Sequence, residues 1–544
     1  MKGSMMSEKV NEVERIKQAK DGYDVLADLL RYSDQGDYDA IAADDVNQRF
    51  KWFGVYRQKP NTGHFMLRLK IPGGQLSPAQ LKGIGELVDQ YARGFSDITT
   101  RQTIQLHWLT IADVRPVFEA LAKLGMNSQF ACGDVPRNVV SCPLAGVLAD
   151  EFIDASQVVR DVARMYHDGA REFSNLPRKF KTSIGGCSTH CHQPQINDVG
   201  MYGVRRADGS IGYGLLVGGG LSSTPHYGQP MRAFVKPEQV VDVCRAIAIL
   251  FREHGYRERR TRARLKFLVA DKGWQWTRDT IEHILGYALE RDNSLLHPPA
   301  MHGDHVGIGR QKDGNCYVGV PIARGRWTAR QMADIADLAC EYAAGEQRIR
   351  LTAKQNVILL DVPPQRVDAL VERLTSAGLP PQAHPLRDTL ISCTGTEFCN
   401  LAIVETKHRA GRILDYLEKH TRLDRPLVIS VTGCPNSCAQ YQIADIGLMG
   451  SLANDPDGKT DEHGKPLKVD AYNVLLGGAL GADPQFGQTV AKKVVADRIH
   501  LSIENLVNHY LAERVDADEA LPTWAGRNDA QRLEQLIVQP TLTR

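Results

Sequence analysis

Apolar positions recur at helical spacing in SPAQLKGIGELVDQY, where Leu81, Ile84, Leu87, Val88 and Tyr91 share one face. Ser77 can accept a bond from a free N–H of the first turn, and Pro78 suits the first helical position, where no donor is needed. The pattern returns in WTARQMADIADLACEY: Thr328 caps, and Met332, Ile335, Leu338 and Tyr342 follow Leu81, Ile84, Leu87 and Tyr91 at an offset of 251. Two β-rich runs of alternating character also correspond. DITTRQTIQLHWL aligns with RIRLTAKQNVILL, setting Thr99 against Thr352, Arg101 against Lys354 and Gln102 against Gln355. Each run leads into an amphipathic helix that stops at glycine, VFEALAKLG at Gly125 and ALVERLTSAG at Gly378. Each copy is thus predicted as strand, helix, strand, helix.

A second kind of unit follows each copy. KTSIGGCSTHCHQPQINDVGMYG (181–203) matches VISVTGCPNSCAQYQIADIGLMG (428–450) at a constant offset of 247, and YGLLVGGGLS echoes YNVLLGGALG further on. Four matches in one order predict a duplicated A–B–A′–B′ chain of α+β class, with pseudo-twofold symmetry and a site where the halves meet. The expected units are an N-terminal arm over 1–60, A over 61–128, B over 129–295, A′ over 300–382 and B′ over 385–544.

Composition narrows the class. At 544 residues, 42% hydrophobic and 24% charged, the chain is a globular protein too long for one core. A net charge of +2 gives no support for a nucleic-acid binder. No apolar run is long enough to span a membrane, and the opening MKGSMMSEKVNEVERIKQAK shows no secretory pattern. Eleven cysteines suit a reducing compartment, and a cytoplasmic location is expected.

Four of those thiols form two tight pairs, Cys393 with Cys399 in CTGTEFC and Cys434 with Cys438 in TGCPNSC. Structural zinc prefers two to four residues between paired cysteines, which the second pair satisfies and the first does not. An iron–sulfur cluster tolerates wider spacing because its corners are several ångströms apart, and Pro435 after Cys434 matches the Cys-Pro step of ferredoxin-type runs. Spacing favours a cluster and leaves zinc open. A zinc-stabilised nucleic-acid-binding protein is the rival from another class, opposed by the near-neutral charge and the lack of aromatic residues among the basic strands.

CTGTEFCNLAIVETK followed by TGCPNSCAQYQIADIG resembles the signature of the sirohaem-dependent nitrite and sulfite reductases, and the likeness extends over the duplication. The resemblance implies ferredoxin-like half-domains, two sirohaem- and cluster-binding α/β domains, a sirohaem, and a [4Fe–4S] cluster on Cys393, Cys399, Cys434 and Cys438. Cys438 is the implied bridge to the sirohaem iron. Substrate would be held by Arg68, Arg137, Lys179 and Lys181, and sirohaem carboxylates by Thr99, Arg101, Gln105 and His107. Lys266, Gln355 and Asn436 are implied as further sirohaem contacts. A structural histidine bonded to its surroundings would look the same as His107 in sequence.

Within the family, the pair Lys179 and Lys181 in LPRKFK resembles the sulfite branch, whereas nitrite reductases often carry Lys-x-Asn. Sulfite reduction to sulfide is therefore expected, with nitrite reduction to ammonia as the alternative. Tyr56 and Cys132 match places where a tyrosine and a cysteine are joined by a thioether in some ferredoxin-dependent sulfite reductases. With no strand–GxGxxG–helix fingerprint in the chain, electrons must come from another protein, and ferredoxin is what the resemblance implies. A monomer without nucleic-acid or membrane partners is expected. The first B unit also holds Cys142, Cys187 and Cys191. By local alignment Cys142 falls near the place of Cys399, and Pro136 near that of Cys393. With His190 or His192 these thiols could bind a second metal, although they also fit relics of duplication.

Overall fold

The computed structural model describes residues 11–58, 61–294, 302–346, 348–382 and 384–539. The expected seams at 60–61, 295–300 and 382–385 touch residues outside that set. Both predicted capped helices form, Pro78–Tyr91 and Ala329–Tyr342, and each opens with a reciprocal capping box, Ser77 with Gln80 and Thr328 with Gln331. They pack on each other across the pseudo-twofold.

Each half-domain builds a five-stranded antiparallel sheet with one strand borrowed from the other copy. Val55–Arg57, Phe65–Arg68, Ile104–Leu109 and Phe95–Ile98 are completed by Arg326–Thr328. Gly307–Arg310, Cys316–Val320, Val357–Val362 and Ile349–Leu351 are completed by Gln75–Leu76. Each lent strand runs directly into its capped helix, so the helix–helix contact and the strand exchange fix one another. The two half-domains are thereby a single folding unit.

DITTRQTIQLHWL is a hairpin rather than one strand. Phe95–Ile98 and Ile104–Leu109 pair antiparallel, with Ser96 opposite Leu106, and Thr99–Thr103 turns between them. Gln102 at φ +54° and its counterpart Gln355 at φ +69° take the left-handed conformation that the tight turn requires. The turn carries Thr99, Thr100 and Arg101 out of the half-domain toward both B units.

Each B unit is a mixed five-stranded sheet. In B′, Leu390–Ser392, Ile429–Thr432 and Ile446–Asn454 are parallel, and Lys468–Leu476 and Gln488–Val495 return antiparallel. In B, Thr182–Gly185 and Val199–Arg205 are parallel, followed antiparallel by Ile211–Val217, Gln229–Val235 and Glu290–Arg291. In place of a first strand, B makes isolated parallel bridges, Pro136 with Phe180 and Val140 with Ser183. Val140 faces Ser183 as Ile391 faces Ser430, the same step in the two copies. That register corrects the local alignment: Cys142 is the counterpart of Cys393, and it is Cys399 that lacks a matching thiol.

One hydrophobic core runs through the arm, both half-domains and B, while B′ has its own over residues 386–537. The arm is tied to B by the indole N–H of Trp52, which donates to Ser174 O at 2.7 Å, and by Lys17, buried against Glu14 and Asp134.

Candidate active site

Cys393 follows the strand Leu390–Ser392, and Cys434 follows its parallel neighbour Ile429–Thr432, so two thiols emerge side by side at the strands' C-terminal ends. Cys399 and Cys438 lie on the loops beyond. All six pairings of the four thiols interact: Cys393 with Cys438 and Cys399, Cys399 with Cys438 and Cys434, and Cys434 with Cys438 and Cys393. Yet among the described residues the three ligand atoms mutually within 4.8 Å are those of Cys142, Cys191 and His305, not any three of the quartet. A tetrahedral zinc with bonds of ~2.3 Å to sulfur needs its ligands roughly 3.8 Å apart. The quartet is too widely spread for one ion and is arranged for an object with corners.

The loops also prepare the sulfurs for negative charge. Burial, then the other thiols, push Cys393 up to about 11, and burial does the same to Cys434. Backbone donors oppose this. Gly433 N–H reaches Cys393 Sγ at 3.2 Å, Leu401 and Ala402 N–H face Cys399, and the backbone and side chain of Asn436 face Cys434. Such N–H···S contacts stabilise cluster thiolates and tune cluster potential. Gly395, at φ +69°, lets the loop close on Thr406, whose Oγ1 would be 2.5 Å from a Cβ there. Thr406 in turn donates to Cys393 O at 2.6 Å.

Cys438 faces a recess crowded with cations. Arg68 senses both Cys438 and Cys399, and Lys179 senses Cys438. Burial and then mutual repulsion set the lysines: Lys179 is brought down to about 7 beside Arg178 and Arg264, and Lys70 to about 7 beside Arg137 and Arg101. Lys181 is held well below its ordinary value by burial, Arg101 and Lys179, and even Arg101 is lowered to about 9 by burial and Arg137. Two buried carboxylates, Asp134 and Asp198, stand against these cations. Asp134 is occupied by Arg260, and Asp198 by Arg264 at 2.9 Å and by the backbone N–H of Lys181. Cations held this close and this dry are costly without anions, so the recess is built for a polyanion and a small anion together. The sequence reading missed Lys70, Arg178 and Arg264; Lys70 was legible as the charge two residues beyond Arg68.

The remaining candidates divide. Arg101 at the hairpin tip donates to Asn197 Oδ1 at 2.9 Å and to Thr182 O at 3.2 Å, and Thr99 Oγ1 accepts from Arg101 N–H. Thr100, unnoticed in the sequence, donates to Cys438 O at 3.0 Å and so links half-domain A to the quartet. Arg137 curls back on Gly133 O at 2.8 Å. Gln105 meets Met66 Sδ. His107 is fully buried: its Nε2 is 3.0 Å from Asp97, its ring lies 4.0 Å from that of Phe398, and its Nδ1 has no protein partner. Asp97 is itself clamped by Arg326 at 2.8 and 3.1 Å. His107 therefore supports the Cys399 loop from below.

Two expected sirohaem contacts meet backbone groups of the protein. Gln355 spends both amide N–H donors on Ile98 O and Ser392 O, and its oxygen accepts Ser392 N–H. Lys266 spends its ammonium on the carbonyls of Gly220, Leu221 and Thr224. Neither keeps a donor for a carboxylate. Tyr56 and Cys132, by contrast, are brought together. Tyr56 Oη accepts from Arg68 at 3.2 Å and is hydrogen-bonded to the Cys132 thiol. Burial raises Cys132, but Arg137, Arg68 and that hydrogen bond outweigh it and bring the thiol to about 7.

Sequence-family comparison decides what this arrangement is. The family model for the nitrite and sulphite reductase 4Fe-4S domain matches residues 132–288 and 386–527, and that for the nitrite/sulfite reductase ferredoxin-like half domain matches 56–124 and 309–377. The chain belongs to the nitrite and sulfite reductases. It is 36% identical to a protein named sulfite reductase [ferredoxin] 2 of Mycolicibacterium paratuberculosis, over 97% of this chain and 96% of that one. It is 35% identical to an assimilatory ferredoxin-dependent nitrite reductase of Haloferax mediterranei, over 92% of this chain and 89% of the relative. The solved structure of Mycobacterium tuberculosis NirA superposes with a TM-score of 0.88 at 34% identity, covering 96% of this chain and 98% of NirA. The duplicated architecture expected from sequence is thus that of the family, as are its cofactors, sirohaem and a [4Fe–4S] cluster. The spread quartet with its N–H donors and the cation-lined recess beside Cys438 fit the two groups.

Proposed function

We propose that this reductase converts sulfite to sulfide with six electrons delivered singly by reduced ferredoxin. The observation that carries the reading is the pair Lys179 and Lys181, both lowered in the recess next to Cys438. Cys393, Cys399, Cys434 and Cys438 would hold the cluster, with Cys438, the thiol that faces the cations, as its link to the sirohaem. When bound, the coupled pair supplies electron storage and an iron on which the anion is reduced.

The chain's own residues supply charge and protons. Arg68 and Arg137 fix the oxygens of the anion by charge-assisted hydrogen bonds. Lys179 and Lys181, with the former titrating at about 7, can both neutralise the dianion and give up protons as oxygens leave as water. Arg101, Thr99 and Gln105, with the vacant Nδ1 of His107, are the groups for sirohaem carboxylates, and Asn436 serves the cluster edge through Cys434. The register that pairs Cys142 with Cys393 sets Asp388 opposite Arg137, and Asp388 is raised to about 7 by burial and Asp304. The mirrored place thus carries a carboxyl group beside Lys354 where the recess carries a guanidinium.

Nitrite reduction is the second reading, because relatives bearing that name match at nearly the same identity. The purified protein is expected to be coloured, with sirohaem absorption bands, iron and acid-labile sulfide. Steady-state assays with reduced ferredoxin and each anion then rank the substrates. A colourless protein with zinc in the quartet would sink both readings.

A further inference from the structure

Across the pseudo-twofold from the quartet, Cys142, Cys187 and Cys191 occupy the places of Cys393, Cys434 and Cys438, and all three are buried. Nothing in the proposed reaction uses them. The geometry here differs in kind from that of the quartet. The Sγ atoms of Cys142 and Cys191 and a ring nitrogen of His305 lie within 4.8 Å of one another, with His305 Nε2 3.9 Å from Cys142 Sγ. Cys187 interacts with both other thiols from outside that group, and its thiol donates to Thr189 O at 2.6 Å. Cys399 has no counterpart thiol, and the fourth position is filled from another direction: His305 precedes the strand Gly307–Arg310 of the second half-domain.

We propose that Cys142, Cys187, Cys191 and His305 bind a single thiophilic divalent ion, zinc, in a Cys₃His site. Ligands of a tetrahedral zinc lie roughly 3.8 Å apart, which Cys142, Cys191 and His305 approach and no three of the cluster quartet do. Three residues separate Cys187 from Cys191, within the usual spacing of a zinc pair. The fourth ligand is His305 rather than His190 or His192. Among the described residues, His305 is the histidine grouped with these thiols, with a ring nitrogen within 4.8 Å of both Cys142 and Cys191 Sγ. Binding replaces the three thiol protons with the ion and releases them to solvent. Cys191 also lines a cavity of about 90 Å³ between the two B units, which offers the ion a way in. The site joins B to the second half-domain, as the cluster loop joins B′ to the first.

Metal analysis of the full-length holoenzyme, produced with added zinc, tests this. Wild type should carry about one zinc per chain beside its iron, with three sulfur and one nitrogen neighbours by zinc X-ray absorption. Cys142→Ser and His305→Gln should each lower zinc at least about tenfold while iron, labile sulfide and the visible spectrum stay unchanged. Wild type holding less than about a tenth of a zinc per chain overturns the proposal, as does thiol mapping that finds Cys142 and Cys191 joined in a disulfide. If the variants do not accumulate, X-ray absorption on wild type decides alone, and a zinc shell without the nitrogen or without sulfur overturns it. Because the readout is zinc, its failure leaves the sirohaem reading standing, and failure of that reading leaves this one testable.

Discussion

Gln102 and Gln355 make the same three hydrogen bonds in the two halves of the molecule. Gln102 binds Ser141 N–H and O and reaches across to Leu351 O, while Gln355 binds Ser392 N–H and O and reaches across to Ile98 O. Each amide clips its own B unit to the opposite half-domain. Gly325 leaves room for Gln355, since a Cβ there would stand 2.7 Å from the Cβ of Gln355.

Replacing either glutamine by leucine strands buried backbone groups, at a cost of about 1–3 kcal/mol. Gln102→Leu and Gln355→Leu are expected to lower Tm by similar amounts, with sirohaem content per folded chain unchanged. Loss of sirohaem at an unchanged Tm in Gln355→Leu would restore the role that sequence suggested for it.

The cation recess has a pH signature. Lys70 and Lys179 are lowered from 10.5 to about 7, chiefly by burial. Between those values the unfolded chain binds protons that the folded chain has shed, so stability rises with pH across the window. Below about 7 both groups are charged in either state, and the full penalty of holding them is present. Thermal unfolding of cofactor-free protein should therefore give a Tm that climbs from about pH 7 to about pH 9. Loading with sirohaem should flatten the climb, because carboxylates raise both lysines again. A flat profile in the cofactor-free protein would show that these ammoniums are not held dry.

Substrate preference should turn on Lys181. Lys181→Asn is expected to lower sulfite turnover by about 10²-fold, the scale of one general acid, and nitrite turnover by less. Equal losses in steady-state assays with the two anions would remove this lysine as the discriminating group.

Tyr56 and Cys132 share a hydrogen bond beside Arg68, and the thiol titrates at about 7. A thioether between them forms a carbon–sulfur bond on the phenol ring and gives up two hydrogens to an oxidant such as dioxygen. Peptide mapping by mass spectrometry is expected to find the two segments joined and two hydrogens lighter than their sum. Recovery of separate peptides, with Cys132 alkylated, would count against the bond.

Much of this molecule was legible in its letters. The helix caps at Ser77 and Thr328, the A–B–A′–B′ order and the pairing of the four candidate thiols follow from local patterns, because a cap, a helical face or a cysteine pair is defined by neighbours in the chain. Tertiary structure decided what depends on distant partners. An alternating run specifies which face of a strand is buried but not which strand lies beside it, so the exchange of Gln75–Leu76 for Arg326–Thr328 was hidden, as was the register that sets Cys142 opposite Cys393. A polar side chain in sequence likewise carries no record of what will meet its donors. Gln355 and Lys266 meet backbone carbonyls that no local pattern announced, and His305, silent in the sequence, came beside Cys142 and Cys191 only because a second half-domain carried it there.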